Sequence, residues 1–211
     1  MSGFREMTLE GFLAKLASSD PTPGGGAVAG AAGAAGAALI SMVGRLTAGK
    51  KGFEEVTPRM QEILEQSDAA RVRFLDLADA DAAAFDLVMA AMRMPRESDE
   101  EKAERTEALQ RAFVEAAEAP LETARLAVEM MDLALEVTGS GNPQASSDGS
   151  SAAQMLRAAA VCAAYNVEIN AASVKDAGVA GRLRSEAAEL LARAEDLFGK
   201  TDEAFRSRIA G

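Results

Sequence analysis

The sequence predicts an all-α, single-domain helical bundle of about six helices spanning 1–211, with long central Ala/Gly-rich helices. Three observations carry this. Apolar residues recur three and four apart in every long segment, no stretch alternates with period two, and capping residues stand where the periodic runs begin. The stretch DPTPGGGAVAGAAGAAGAALISMVGRLTAGKK at 20–51 is the one around which the others are organised.

Taken in order, Leu9, Phe12, Leu13 and Leu16 mark a short first helix at 8–17, with Thr8 as its N-cap. Residues 18–25 are a loop by their Ser, Asp, Pro and Gly content, and a long helix follows at 26–48. Gly30, Gly33 and Gly36 sit inside it. Each interior glycine costs about 0.5–1 kcal/mol relative to alanine, so three of them imply close approach of neighbouring helices. The uncharged run at 21–44 is long enough to cross a bilayer, but alanine and glycine give little transfer free energy and no aromatic belt flanks it. A buried core helix is the reading adopted, and no membrane partner is expected.

Thr57 as cap and Pro58 at the first helical position open a helix that runs to about 93. Ser98 and Glu101 have the form of a capping box. The helix they open should kink or break just before Pro120 and then resume through Leu133. TGSGNPQASSDGSS at 138–151 reads as a second loop, followed by an alanine-rich helix at 152–172 and a last helix at 179–209. Placing the two alanine-rich helices side by side makes their entry loops meet at one end of the bundle.

Composition excludes several classes. With 22 Lys+Arg against 33 Asp+Glu, the net charge is -11, which disfavours a general nucleic-acid binder or a membrane-surface role. The sequence holds no histidine, so His-based triads, His-ligated zinc and His general bases are excluded. No metal site is expected. Cys162 is the single cysteine and the start MSGFREMTLEGF lacks a secretory pattern, so a cytoplasmic location is expected.

The candidate chemistry lies in few places. The Pro23-Gly24-Gly25-Gly26 entry leaves backbone N–H groups free at a helix start, where an anionic or polar ligand is well received. Asp148 stands where a helix N-cap belongs, and a catalytic carboxylate is compatible with that place. Lys50 and Lys51, with Arg45, either offset a helix C-terminus or clamp a carboxylate or phosphate. Asn166 and Asn170 share a helical face and either bond across helices or line a pocket. Asp76, Asp79, Asp81 and Asp86 read as a solvated face, and Cys162 as a small core residue.

Five segments in order resemble a known family: PTPGGG at 21–26, SMVGRLTAGKKGFEEV at 41–56, MPRESDEEKAER at 94–105, Gly141-Asn142 with Ser147-Asp148, and NVEIN at 166–170. They are similar to the cyclodeaminase/cyclohydrolase family of folate one-carbon metabolism, and the resemblance covers nearly the whole chain. It implies an all-helical homodimer with a folate pocket between protomers and no cofactor beyond the tetrahydrofolate substrate. Gly52-Phe53 stands where relatives often carry Lys-Tyr, which leaves the basic cluster one charge weaker.

The implied activity is hydrolysis of 5,10-methenyltetrahydrofolate to 10-formyltetrahydrofolate. The alternatives are formimidoyltetrahydrofolate cyclodeamination with release of ammonia, and a non-catalytic helical dimer. No transferase-like segment accompanies the match, which favours the stand-alone cyclohydrolase branch. On this resemblance Asp148 is the base or cation-stabilising carboxylate and Lys51 the proton donor or electrostatic partner. Pro23, Gly24, Gly25, Gly26, Asn142, Ser147, Asn166 and Asn170 bind substrate, with Arg45 and Lys50 pairing with glutamate carboxylates.

Overall fold

Helical periodicity becomes helix here wherever a local start signal precedes it. In a computed structural model describing residues 3–210, six α-helices and two single 3-10 turns follow one another, with no strand among the described residues. Met1, Ser2 and Gly211, at the ends of the expected 1–211 unit, lie outside the described residues. The helices are α1 (Leu9–Leu16), α2 (Gly25–Thr47), α3 (Thr57–Met92), α4 (Asp99–Ser140), α5 (Ser146–Ala171) and α6 (Ala177–Ala210).

Several expected signals are present as written. The Thr8 side chain accepts the Gly11 N–H, and Ser98 and Glu101 form the reciprocal capping box. Others differ. Val56 rather than Thr57 is the residue before α3, and the Thr57 hydroxyl instead accepts the Gly49 N–H at 3.0 Å and donates to Phe53 O. The expected loop at 138–151 is mostly helical. α4 runs through Ser140, Asn142 caps the 3-10 turn Pro143–Ala145, and α5 already starts at Ser146. Its Ser and Thr hydroxyls turn inward onto carbonyls of their own turns, Thr138 to Ala134 and Ser140 to Glu136, so turn-forming residues are absorbed into helix.

Of the kink or break expected just before Pro120, the break is absent, since α4 is continuous from Asp99 to Ser140 with Pro120 buried inside it. Asn170 of α5 supplies the reason: its Nδ2 donates to the Ala116 carbonyl, the acceptor that a residue at 120 would normally satisfy.

Helices α2 to α5 alternate in direction. The glycines of α2 record how closely the others approach it. A Cβ on Gly30 would stand 2.7 Å from Phe74 O, one on Gly33 2.4 Å from the Phe74 ring, and one on Gly36 2.7 Å from Leu156 Cγ. The small-residue face therefore packs inside the subunit, against α3 and α5. Ile40, Met60, Ile63, Phe74, Met131 and Leu156 fill the core around it. Helix α2 is long and apolar enough to cross a membrane by length and composition, yet most of its apolar window is buried among the other helices.

Because α2 and α5 are antiparallel, their entry loops do not meet. Gly25 faces Asn166 near the end of α5, while the Asn142 N–H, just ahead of α5, donates to the Thr47 hydroxyl at the end of α2. The expectation that both loops share one end of the bundle is overturned.

Candidate functional site

The longer hairpin of α3 and α4 continues past the start of α2 and the end of α5, and a cleft of about 380 Å³ opens at this step. Its volume suits a small organic ligand, for which about 300 Å³ or more is usual. Gly24 precedes α2 without any side-chain cap, and the first helical bond runs from Val28 N to Gly24 O. The N–H groups of the first turn thus open beside Pro21, Thr22, Gly24 and Gly25, which form one rim. Phe85 and Val88 of α3, Phe113 of α4 and Ile169 of α5 make the apolar wall, and Asp81, Asn166, Asn170 and Ser173 the polar one.

Asp81 is the residue that the sequence reading misassigned. Asp76 pairs with Arg5, and the Asp79 carboxylate accepts the Phe4 N–H at 2.7 Å, so these belong to the outer surface. Asp81 instead points into the cleft, where desolvation pushes its pKa from 3.8 up to about 6. A Cβ on Gly26 would overlap its carboxyl at 2.2–2.3 Å, so glycine at that position is what lets the carboxyl lie over the first turn of α2. The signal was present in the sequence. Asp81 continues the buried series Phe74, Leu77, Ala78 and Val88 at helical spacing, whereas Asp76, Asp79 and Asp86 fall off it. The cleft aromatics Phe85 and Phe113 are half-buried on the same overhang, and only the tertiary arrangement shows that they face each other's helix.

Of the residues singled out from sequence, Gly24, Gly25, Asn166 and Asn170 line this cleft, with Pro23 buried in the rim and Gly26 beneath Asp81. The Asn166 Nδ2 donates to Cys162 O at 2.8 Å, and that of Asn170 to Ala116 O at 2.8 Å. Helix bonding and pocket lining, weighed above as alternatives, are thus both found.

The other candidates gather at the opposite end of α2. That helix holds 23 residues, so at about 1.5 Å per residue the two ends lie roughly 30 Å apart. Lys50 and Lys51 are exposed there, and Arg45 is paired with Asp68, Nη2 to Oδ2 at 2.5 Å, which holds Asp68 below the usual carboxylate range. Asn142 ties its Nδ2 to Leu46 O. Ser147 is exposed, and Asp148 is half-buried in the first turn of α5 rather than at its cap, which is Ala145 with no side-chain bond. Within one chain Asp148 and Lys51 do not join Asn166 and Asn170.

The comparisons with known proteins agree with this architecture. The profile of the formiminotransferase-cyclodeaminase family matches residues 8–189. The chain belongs to that family. It is 41% identical over 202 residues to the methenyltetrahydrofolate cyclohydrolase of Methylorubrum extorquens, covering 96% of this chain and 97% of the relative. The formimidoyltransferase-cyclodeaminase of Sus scrofa is 34% identical over 187 residues, which is 89% of this chain but 35% of that larger protein. Among solved structures, the formiminotetrahydrofolate cyclodeaminase of Thermotoga maritima superimposes with a TM-score of 0.87 at 31% identity, over 97% of this chain and 98% of that one. The all-helical family fold is therefore the fold of this chain.

Proposed function

We propose that this protein is a methenyltetrahydrofolate cyclohydrolase, converting 5,10-methenyltetrahydrofolate and water to 10-formyltetrahydrofolate. The observation that carries the reading is Asp81, a desolvated carboxyl with a pKa raised to about 6, set in a cleft beside an open helix start and two fixed amides. End-to-end similarity to the Methylorubrum cyclohydrolase supports the choice of reaction.

In the substrate the bridging carbon is already cationic, so hydrolysis needs positioned water, a base and a proton donor to the departing ring nitrogen. Ionised Asp81 takes a proton from water as its oxygen bonds to that carbon. The same carboxyl then returns the proton to N5 as the carbon–N5 bond breaks. The hydroxyl proton leaves to solvent as the N10-formyl C=O forms. A carboxyl titrating near 6 is mostly ionised at pH 7 yet acidic enough to serve in both directions. The flat ring system lies against Phe85 and Phe113, and Asn166 and Asn170 bond its polar edge.

The second reading, cyclodeamination of formimidoyltetrahydrofolate, is favoured by the likeness to the Thermotoga cyclodeaminase. It would use the same carboxyl and expel ammonia in place of adding water.

The family pocket between protomers fits two features of this chain. Met42 and Leu46 toward the lysine end of α2, with Met155, Tyr165 and Ile169 along the adjoining α5, are exposed, Tyr165 at 68% and Ile169 at 70%, and Ile169 itself reaches the cleft. A second copy packed on this face about a two-fold axis runs its α2 antiparallel to the first. Its Arg45, Lys50, Lys51 and Asp148 end then comes to the cleft of the first copy, where Lys50 and Lys51 meet the glutamate carboxylates of the folate tail.

The deciding experiment follows the methenyltetrahydrofolate chromophore with wild-type, Asp81→Asn and Asp148→Asn proteins, beside a run starting from formimidoyltetrahydrofolate. Rapid chromophore decay lost by orders of magnitude in Asp81→Asn is the expected result. Loss only in Asp148→Asn would transfer the base to that residue, and chromophore appearance with ammonia in the parallel run alone would establish the cyclodeaminase.

A further inference from the structure

A proline in the middle of a 42-residue helix removes one N–H from the ladder and leaves the carbonyl four residues earlier without its helical donor. Here that carbonyl belongs to Ala116, which lines the cleft. The side chain that fills the vacancy is Asn170, whose Nδ2 donates to Ala116 O at 2.8 Å and to Asn166 O at 2.9 Å. Both amide donors are occupied by carbonyls. Turning the amide over would set its oxygen against two carbonyl oxygens, so the arrangement is held one way round. Asn170 Oδ1 accepts no bond from the described residues, and Asn170 lines the cleft.

Asn166 repeats part of the pattern, with Nδ2 on Cys162 O at 2.8 Å. A second tie fixes the following turn to the same helix: Gln110 donates to Ser173 O at 3.2 Å and accepts the Lys175 N–H at 2.6 Å. The segment that carries Asn170 and Ser173 is thus held to α4 on both sides.

We propose that Pro120 is a positioning residue for ligand recognition: by vacating the Ala116 carbonyl it locks Asn170 with Nδ2 inward, so that Asn170, beside Asn166, presents a fixed acceptor to the N–H-bearing edge of the ligand. The inference rests on the folate reading above, under which that edge is the 2-amino group and N3–H of the reduced pterin. It also makes the recognition asymmetric, because an analogue lacking the 2-amino donor leaves a dehydrated acceptor unpaired.

The test is equilibrium binding of tetrahydrofolate, which carries no one-carbon bridge and does not react, and of its 2-desamino analogue. It uses wild-type, Pro120→Ala, Asn170→Ala and doubly substituted full-length proteins, with melting temperature and steady-state kinetics on each. Asn170→Ala is expected to weaken tetrahydrofolate by about tenfold and the analogue much less. Pro120→Ala restores the helical N–H that competes for Ala116 O, so it is expected to weaken tetrahydrofolate severalfold and raise KM more than it lowers kcat. The melting temperature should hold or rise, because α4 regains a bond. In the Asn170→Ala background the effect of Pro120→Ala on affinity should vanish.

An affinity loss of equal size in both Asn170 backgrounds, or none in the wild-type background, would overturn the proposal. So would equal weakening of parent and analogue by Asn170→Ala, an arm that needs no proline variant to fold. Wild-type protein that binds no tetrahydrofolate overturns the folate reading as well, whereas binding without this coupling overturns the positioning role alone.

Discussion

Asp81 is held in a state that costs the fold something at neutral pH. Its ordinary pKa of 3.8 is raised to about 6 by burial, so the ionised form is less stable in the folded chain than in the unfolded one. The full shift corresponds to about 3 kcal/mol, which the open side of the cleft reduces to about 2 kcal/mol. The sign follows from linkage: the penalty is complete above pH 6, shrinks as pH falls through the folded pKa, and is gone below about pH 4. Asp81→Asn is therefore predicted to raise the unfolding free energy by about 2 kcal/mol at pH 7.5, in denaturant titrations, with the gain disappearing near pH 4. The same substitution should remove activity, and wild-type kcat/KM should fall on the acid side with a midpoint near pH 6. A neutral or destabilising effect at pH 7.5 would show that the carboxyl is solvated after all. At this scale the sequence was legible for Asn166, Asn170 and the glycines, because amides on an alanine-rich helix and consecutive glycines are locally anomalous. Asp81 hid among three surface carboxylates, and only its phase relative to Phe74 and Val88 set it apart.

Helix α2 separates two uses of glycine along one element. Gly33 faces the fully buried Phe74 ring, with a would-be Cβ at 2.4 Å, and neither partner has room to move. Gly26 faces the Asp81 carboxyl at 2.2–2.3 Å, the free end of a side chain that can swing aside. Gly33→Ala is predicted to destabilise by about 1–3 kcal/mol through overpacking. Gly26→Ala should instead leave the melting temperature nearly unchanged and cut kcat sharply, because the displaced carboxyl no longer lies over the helix start. Thermal melts and kinetics on the two variants check the contrast, and equal loss of stability in both would refute it. Helix existence and most boundaries were readable from periodicity, the Thr8 cap and the Ser98/Glu101 box. The segment at 138–151 was misread because its hydroxyls bond carbonyls of their own helical turns, and of the kink or break expected at Pro120 the break does not occur, its lost bond being made good by a residue 50 positions away in sequence.

Across the whole molecule the candidate residues fall into two groups at opposite ends of α2, a separation that no sequence motif reveals because it depends on helix direction. One chain presents a cleft with a carboxyl, two amides and aromatic walls, and about 30 Å away two exposed lysines and a second carboxylate. Neither group alone matches the dianionic, cationic-centred substrate of the proposed reaction, whereas the antiparallel two-fold pairing of the α2/α5 faces proposed above would join them twice per dimer. That geometry predicts complementation between inactive chains. On that proposal Asp81→Asn removes the base from its own cleft and Lys51→Ala a cation from the neighbouring one, so a mixed dimer would hold one doubly damaged site and one intact site. Random re-association of equal amounts makes half of the dimers mixed, and activity should return to about one quarter of wild type. Dissociation at low concentration or by Met42→Glu on the exposed apolar face should abolish that recovery. Were the two groups to act within a single chain, or in separate processes, mixing would give no more than the sum of the two residual activities.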